Sequence, residues 1–341
     1  MHLSFNQKQT LFIGFKLFLG SMAAVLICEQ LNIMTPYAAG SIALITLLSS
    51  RWDTLRLTLY RLLTYFVTVF ISWFVYTLCR QPIISFGIGM AFLYWFCKAF
   101  NLMSTLAVNG VICSHFMTYT DFSVEMIIHE FLIVLIGVLC ALIINQLYTK
   151  HAVQKQLGLY VKESEQKLID LLGQIADYLS DSSDRKVSLE TYEETLRQAY
   201  DLAKDFEENT FSRHTNYYVN YFRMRFMQSH RLKNIVWELS HMPMQPEQTK
   251  IVVHYIRYLA RYVTETNAPY KQQKELRHLL KAMEEEPLPK TREEFESRAY
   301  LFHILMDLDE FVQCKQTYMD KLSKKQKERF WGEKSKKEAK S

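Results

Sequence analysis

Charge is spread so unevenly along this chain that its two parts cannot be meant for the same solvent. Residues 1–148 carry 7 basic and 5 acidic side chains, whereas residues 149–341 carry 33 and 30. A soluble domain needs roughly a quarter of its residues charged to cover its surface. With 12 charges in 148 residues, the first part falls far short of that. It is expected in a bilayer and the second part in water. The whole-chain averages, a net charge of +5 and a mean hydropathy of -0.07, conceal the division.

A hydrocarbon core about 30 Å thick takes about 20 mostly apolar residues per helix. Counting along the first part gives six expected spans, at about 11–32, 34–50, 57–79, 82–98, 100–119 and 124–148, with the second and fourth short. The apolar run near the N-terminus leads straight into further spans without a small-residue cleavage site, so it reads as a span and not as a removable signal. Basic residues cluster on the cytoplasmic side of membrane proteins. Lys8, Arg51, Arg56, Lys98, Lys150 and Lys155 fall on one side of the expected bundle, and the opposite loops hold Glu29, Arg80 alone, and Asp121 with Glu125. Both termini are therefore expected in the cytoplasm, in a multi-pass protein of the cell membrane.

After Lys150 apolar residues recur at helical spacing among interleaved charges. Helices are expected at about 154–180, 189–211, 214–241, 246–266, 270–285 and 292–326, separated by SDSSDR, by Pro243 and Pro246, by Pro269, and by Pro287 with Pro289. Thr291 followed by Glu294 reads as a capping box. Strand alternation is missing, so the predicted fold class is all-α: a six-helix transmembrane bundle over 1–149, a cytoplasmic helical bundle over 150–326, and a basic, disordered tail over 327–341. The last 21 residues hold nine basic and three acidic side chains beside Phe330 and Trp331. They read either as a frayed helix end or as a segment lying on an anionic leaflet.

An ionisable residue inside a bilayer must be paired or wetted. Lys16 and Arg61 lie close enough to the cytoplasmic end for their stems to snorkel, which suggests anchoring for both. His115 and Glu130 flank the expected turn at 120–123 at similar depth, with Glu29 near the same level. A carboxylate beside an imidazole can hold or pass a proton near neutral pH. Glu130, Gly137, Ala141 and Asn145 share one helical stripe, which is expected to face protein.

Other functions find little support. No phosphate loop, dinucleotide fingerprint, HExxH or GxSxG is present, so no enzyme is indicated. No CxxC or Cys/His cluster occurs, which points to no metal site and no cofactor, and the six cysteines read as apolar packers. The aromatic-rich NYYVNYFRMRF at 216–226 places Tyr218, Tyr221, Phe222 and Arg225 at the spacing of a helix face. That is a buried stripe with Arg225 at its margin, and not a nucleic-acid surface.

Three stretches carry a resemblance to a known family. They are FKLFLGSMAAVLICEQLNIMTPYAAGSIALI at the start, CSHF at 113 with HEFLIVLIGVLCALIINQLY at 129–148, and YYVNYFRMR at 217–225. Together they resemble the aromatic acid exporters of Gram-positive bacteria, distant relatives of the fusaric acid resistance exporters. The resemblance implies an inner-membrane protein with an appended cytoplasmic helical domain that exports aromatic carboxylic acids. The expectation is thus a secondary carrier for an organic anion, assembled as a homo-oligomer and driven by protons. In it Lys16 attracts the anion, Glu29, His115 and Glu130 lie on the proton path, and Asn145 lines the inner mouth. The alternative is a membrane-anchored interaction or sensor protein acting through its cytoplasmic helices.

Overall fold

A computed structural model describes residues 5–147, 150–181, 187–210 and 216–331. All of the regular structure among them is helical, and the chain divides into two compact units, one built from the residues up to Thr149 and the other from those after it apart from 208–211.

The first unit holds α1 (Phe5–Gln30), α2 (Pro36–Leu47), α3 (Arg51–Cys79), α4 (Pro82–Ala99), a 3-10 turn at Met103–Thr105, α5 (Leu106–Tyr119) and α6 (Val124–Asn145). Six apolar helices form as expected, but four of them are long and apolar enough to cross a membrane: 7–30, 53–79, 82–99 and 124–145. The 12 residues of α2 and 14 of α5 extend only about 18 and 21 Å at 1.5 Å per residue. Local chemistry explains both. Pro36 opens α2, and soon after its end the Ser50 hydroxyl caps α3 by accepting from the Asp53 amide at 3.2 Å. The stretch expected to begin the fifth span at 100 instead turns, with Asn101 at φ 56° and the 3-10 turn preceding α5.

Small residues bring these helices together. A Cβ on Gly137 of α6 would lie 2.7 Å from the carbonyl oxygen of Ala39 and 3.0 Å from the Ile42 side chain, so only glycine lets α6 approach the backbone of α2 this closely. Gly40 does the same for α2 against Ser21 of α1, at 3.2 Å from its carbonyl oxygen.

The second unit holds α7 (Lys150–Asp181), α8 (Glu190–Glu208), α9 (Asn216–His241), α10 (Thr249–Ala260), α11 (Tyr270–Glu284), α12 (Arg292–Lys321) and α13 (Lys324–Trp331). The long pairs α9 with α12 and α7 with α10 form its frame. The Thr291 cap is present, its hydroxyl accepting from the Glu294 amide at 3.1 Å. The Glu294 carboxylate reaches back to the Lys290 amide at 2.9 Å.

The expected disordered tail is corrected over its first residues. Residues 327–331 belong to α13, which has its own capping box: the Ser323 hydroxyl accepts from the Gln326 amide at 3.3 Å, and the Gln326 side chain accepts from the Ser323 amide at 3.0 Å. Phe330 stacks on Tyr217 at 4.0 Å between ring centres. Trp331 is buried and donates its indole N–H to the Tyr217 hydroxyl at 2.8 Å. These aromatics are occupied by the helical core and not available to a leaflet. Residues 332–341 lie outside the described residues.

Two outcomes follow from this packing. Gly137→Leu should wedge α6 from α2 and lower the stability of the first unit by roughly 1–3 kcal/mol, the usual range for overpacking. Thermal unfolding in detergent followed by size exclusion reads this, and an unchanged midpoint would show that α6 does not depend on this close approach. The second concerns Glu238 on α9, buried beside Asp307, where desolvation and that neighbouring carboxylate raise its pKa to about 7. Its stabilising contribution is complete below the unfolded value of about 4.3 and is lost as pH rises through about 7. Glu238→Gln should therefore melt above the wild type at pH 8 and close to it at pH 4.5, as followed by circular dichroism.

Candidate polar pathway in the membrane unit

α3 is apolar enough to cross a bilayer, yet one of its faces is polar and buried. Thr54, Arg61, Thr64, Thr68 and Ser72 follow one another at steps of seven, three, four and four, which the helical repeat gathers into one stripe. Each is at most 2% exposed. Thr54, Thr64 and Thr68 use their hydroxyl protons locally, donating to the carbonyls of Ser50, Tyr60 and Thr64 at 2.7, 2.8 and 2.9 Å. Their oxygen lone pairs are left to accept from neighbouring helices.

At the Ser50 end of the stripe three helices meet around Asn145. Its amide nitrogen donates to Thr54 Oγ1 at 2.7 Å, and its amide oxygen accepts from Lys16 Nζ of α1 at 2.7 Å. Lys16 is half-buried and Asn145 buried. The structure thus brings together the two residues expected near one mouth of the bundle.

Fifteen residues before Asn145, about 22 Å back along α6, lies the second polar centre. His115 Nδ1 stands 3.0 and 2.9 Å from the two carboxylate oxygens of Glu130. Glu130 is 1% exposed and the His115 side chain 18%. The turn between α5 and α6 sets this level. Thr120 ends α5 at φ 52°, Asp121 accepts from the Ser123 amide at 2.8 Å, and Ser123 caps α6 by accepting from the Met126 amide at 3.2 Å. Tyr65 of α3 packs edge-on against Phe131 and donates to the Ile127 carbonyl at 2.5 Å, closing the apolar wall next to Glu130. Such a pair can share or release one proton inside a low-dielectric site. Glu29 does not join it: its side chain is exposed at the end of α1, and among the described residues no hydrogen bond or ion pair links it to His115 or Glu130.

Arg61 departs most from the sequence reading. Instead of snorkelling to an interface it is 1% exposed, its guanidinium turned to α2, where Nη1 donates to the Thr46 hydroxyl. Distance from the end of a span suggested anchoring. The polar residues at helical spacing on either side of Arg61 are the signal for burial, because a snorkelling arginine needs no such stripe.

In the second unit Tyr218, Tyr221, Phe222 and Arg225 are all buried, and Arg225 lies in the core and not at its margin. The reason is that it has partners there. Nε and Nη2 donate to the Tyr221 hydroxyl at 3.0 and 2.9 Å, Nη1 to Gln228 at 2.9 Å, and Nη2 also to the Val263 carbonyl at 2.5 Å. Lys315 caps the same loop, donating to the carbonyls of Thr264 and Glu265 at 3.0 and 2.8 Å. Burial raises Glu165, which lies 3.8 Å from Arg225, above the ordinary carboxylate range and holds Lys315 well below the ordinary ammonium value. Desolvation also pulls on Arg225, but the Tyr221 and Tyr192 phenols and the Glu165 carboxylate outweigh it and keep the guanidinium charged. This network ties α7, α9, α12 and the loop after α10 together; it is the unit's polar core.

Comparison with known proteins gives a consistent result over both units. Residues 13–148 match the family described as "Aromatic acid exporter family member 1", and residues 154–316 match the "Putative aromatic acid exporter C-terminal domain". An uncharacterized Bacillus subtilis protein, YqjA, is 25% identical over 301 residues, covering 87% of this chain and 92% of its own length. A solved structure described as a "putative membrane protein from Clostridium difficile 630" aligns at 24% identity with a TM-score of 0.43, over 48% of this chain and 98% of the other.

Removing the guanidinium of Arg225 should strand Glu165, the Val263 carbonyl and the Gln228 amide oxygen. Arg225→Met in the full chain is expected to lower the stability of the helical unit by about 3–5 kcal/mol, the range for breaking a buried ion pair. Arg225→Lys, which keeps the charge without the fork, should recover only part of it. Chemical denaturation followed by circular dichroism measures both, and a wild-type midpoint in the Met variant would show that the network does not hold the unit together.

Proposed function

Because this chain belongs to the aromatic acid exporter family, matched over both of its units, we propose that it is a membrane carrier that exports small organic carboxylates, aromatic acids foremost, in exchange for protons. The observation that carries the reading is the buried pair of Glu130 and His115. Without an extra proton the pair bears one negative charge, and with one it is neutral overall. In a low-dielectric site that difference is large enough to couple proton uptake to the movement of another charge.

The rest of the arrangement fits this task. With the termini in the cytoplasm, Lys16 and Asn145 stand at the inner end of the unit. There the Lys16 ammonium, bonded to the Asn145 amide oxygen, draws anions toward the spans. Glu130 and His115 then lie toward the outer side, where the external medium supplies protons. The second unit is cytoplasmic in this reading, and its helices gate the path or join protomers. Assembly into a homo-oligomer completes the path, since four full-length spans per chain enclose little on their own.

Everted membrane vesicles test this. Vesicles carrying the wild-type protein should accumulate labelled benzoate when their lumen is acidified. Vesicles with an equal amount of inserted Glu130→Gln should lose the proton-driven part, a fall of tenfold or more that corresponds to about 1.4 kcal/mol of lost coupling. Equal accumulation in the two would remove Glu130 from the proton step. No wild-type accumulation above protein-free vesicles would remove the carrier reading and favour a membrane-anchored interaction protein.

A further inference from the structure

Arg61 is a buried cation without a counter-ion. It sits eight residues past Asp53, where the span begins, which is about 12 Å along the helix. A guanidinium stays protonated under any physiological condition, so burial must be offset by a negative partner. Residues 1–149 have five carboxylates to offer. Glu29, Asp53, Asp121 and Glu125 are exposed, and Glu130 is taken by His115. The only partner of Arg61 among the described residues is the neutral hydroxyl of Thr46, whose own proton is committed to the Ile42 carbonyl at 2.6 Å. One hydrogen bond from a charged donor to a neutral hydroxyl contributes roughly 1.5–3 kcal/mol, less than the several kcal/mol needed to bury an ion.

The unused part of the guanidinium has a definite shape. Nη1 is engaged by Thr46, whereas Nε is buried with no partner. Nη2 has none either among the described residues. Nε and Nη2 form one edge of the plane, with two parallel N–H groups at the separation of the two oxygens of a carboxylate. One turn further along the same face of α3 the buried groups are polar but uncharged: Thr64 lies 3.5 Å from the Asn109 side-chain oxygen of α5, and Asn109 donates to Thr105 at 3.3 Å.

We propose that the Nε–Nη2 edge of Arg61 is the site that binds the carboxylate of the transported organic acid within the membrane unit, the substrate itself supplying the missing negative charge. This rests on the carrier reading for the word transported, but the carboxylate site can be tested without flux. Lys16 at the mouth acts as a point charge that gathers anions, and Arg61 selects among them by planar, two-oxygen geometry. Spherical or singly coordinating anions gain less from such an edge.

The test uses the purified full-length protein in detergent, with benzoate, benzyl alcohol and chloride as probes, followed by thermal unfolding. Benzoate should raise the wild-type midpoint saturably, and benzyl alcohol, its uncharged near-isostere, should not. In Arg61→Gln the apparent affinity for benzoate should fall by about thirtyfold or more, as when one member of a buried charge pair is removed. Arg61→Lys should fall between the two. Arg61→Met should melt, without ligand, at or above the wild type, because it removes an uncompensated charge. Unchanged benzoate affinity in Arg61→Gln overturns the site. A ligand-free Arg61→Met that melts well below the wild type also overturns it, by showing the charge to be structural, and so does chloride stabilising as strongly as benzoate. Arg61-dependent binding in a protein that shows no flux keeps the site and overturns the carrier reading instead.

Discussion

Within the apolar unit no buried polar side chain can rely on water, and each must find what it needs in protein. That constraint sorts three of its ionisable centres into three different solutions. Glu130 is matched by a titratable partner, the His115 imidazole, at two contacts of about 3 Å. Lys16 is matched in hydrogen bonding by the amide oxygen of Asn145. Arg61 is matched in neither respect beyond one hydroxyl. The gradation from a compensated pair to an uncompensated cation is what separates a proton site from a candidate anion site in this bundle.

The rest of the unit serves to hold these centres at their levels. Glycines at 40 and 137 let α1, α2 and α6 pack backbone to backbone, which places Asn145 against α3 and leaves Glu130 on the inward face. The stripe on α3 runs between the two centres. Its threonines satisfy their own protons on the helix and present acceptors sideways, a pattern that suits a cation on the same helix face.

Much of this was legible in the sequence because it follows from local rules. Charge density separated the two units, the turn at 120–123 put His115 and Glu130 at one depth, and the stripe from Glu130 to Asn145 pointed inward as its small residues implied. What could not be read is set by tertiary context. The lengths of α2 and α5 depend on where caps and left-handed residues stop them, which hydropathy does not report. Arg61 was expected to anchor near the cytoplasmic end of its span and Arg225 to sit at the margin of its stripe; both are buried, Arg225 among several partners and Arg61 against Thr46. Glu29 was placed with the pair by depth alone, and depth says nothing of azimuth around the bundle.

The docking of α13 has a consequence for how the second unit comes apart. Chain ends fray first, since their residues are held from one side only. Here the end supplies Phe330 and Trp331 as partners for Tyr217, which also donates to Glu265 in the loop that Arg225 and Lys315 cap. Fraying of the last turn therefore exposes a phenol wired to the polar core. Cooperativity reaches almost to the last described residue, and a cut at Lys327 or Arg329, in what composition marks as a basic tail, would act on the middle of the unit.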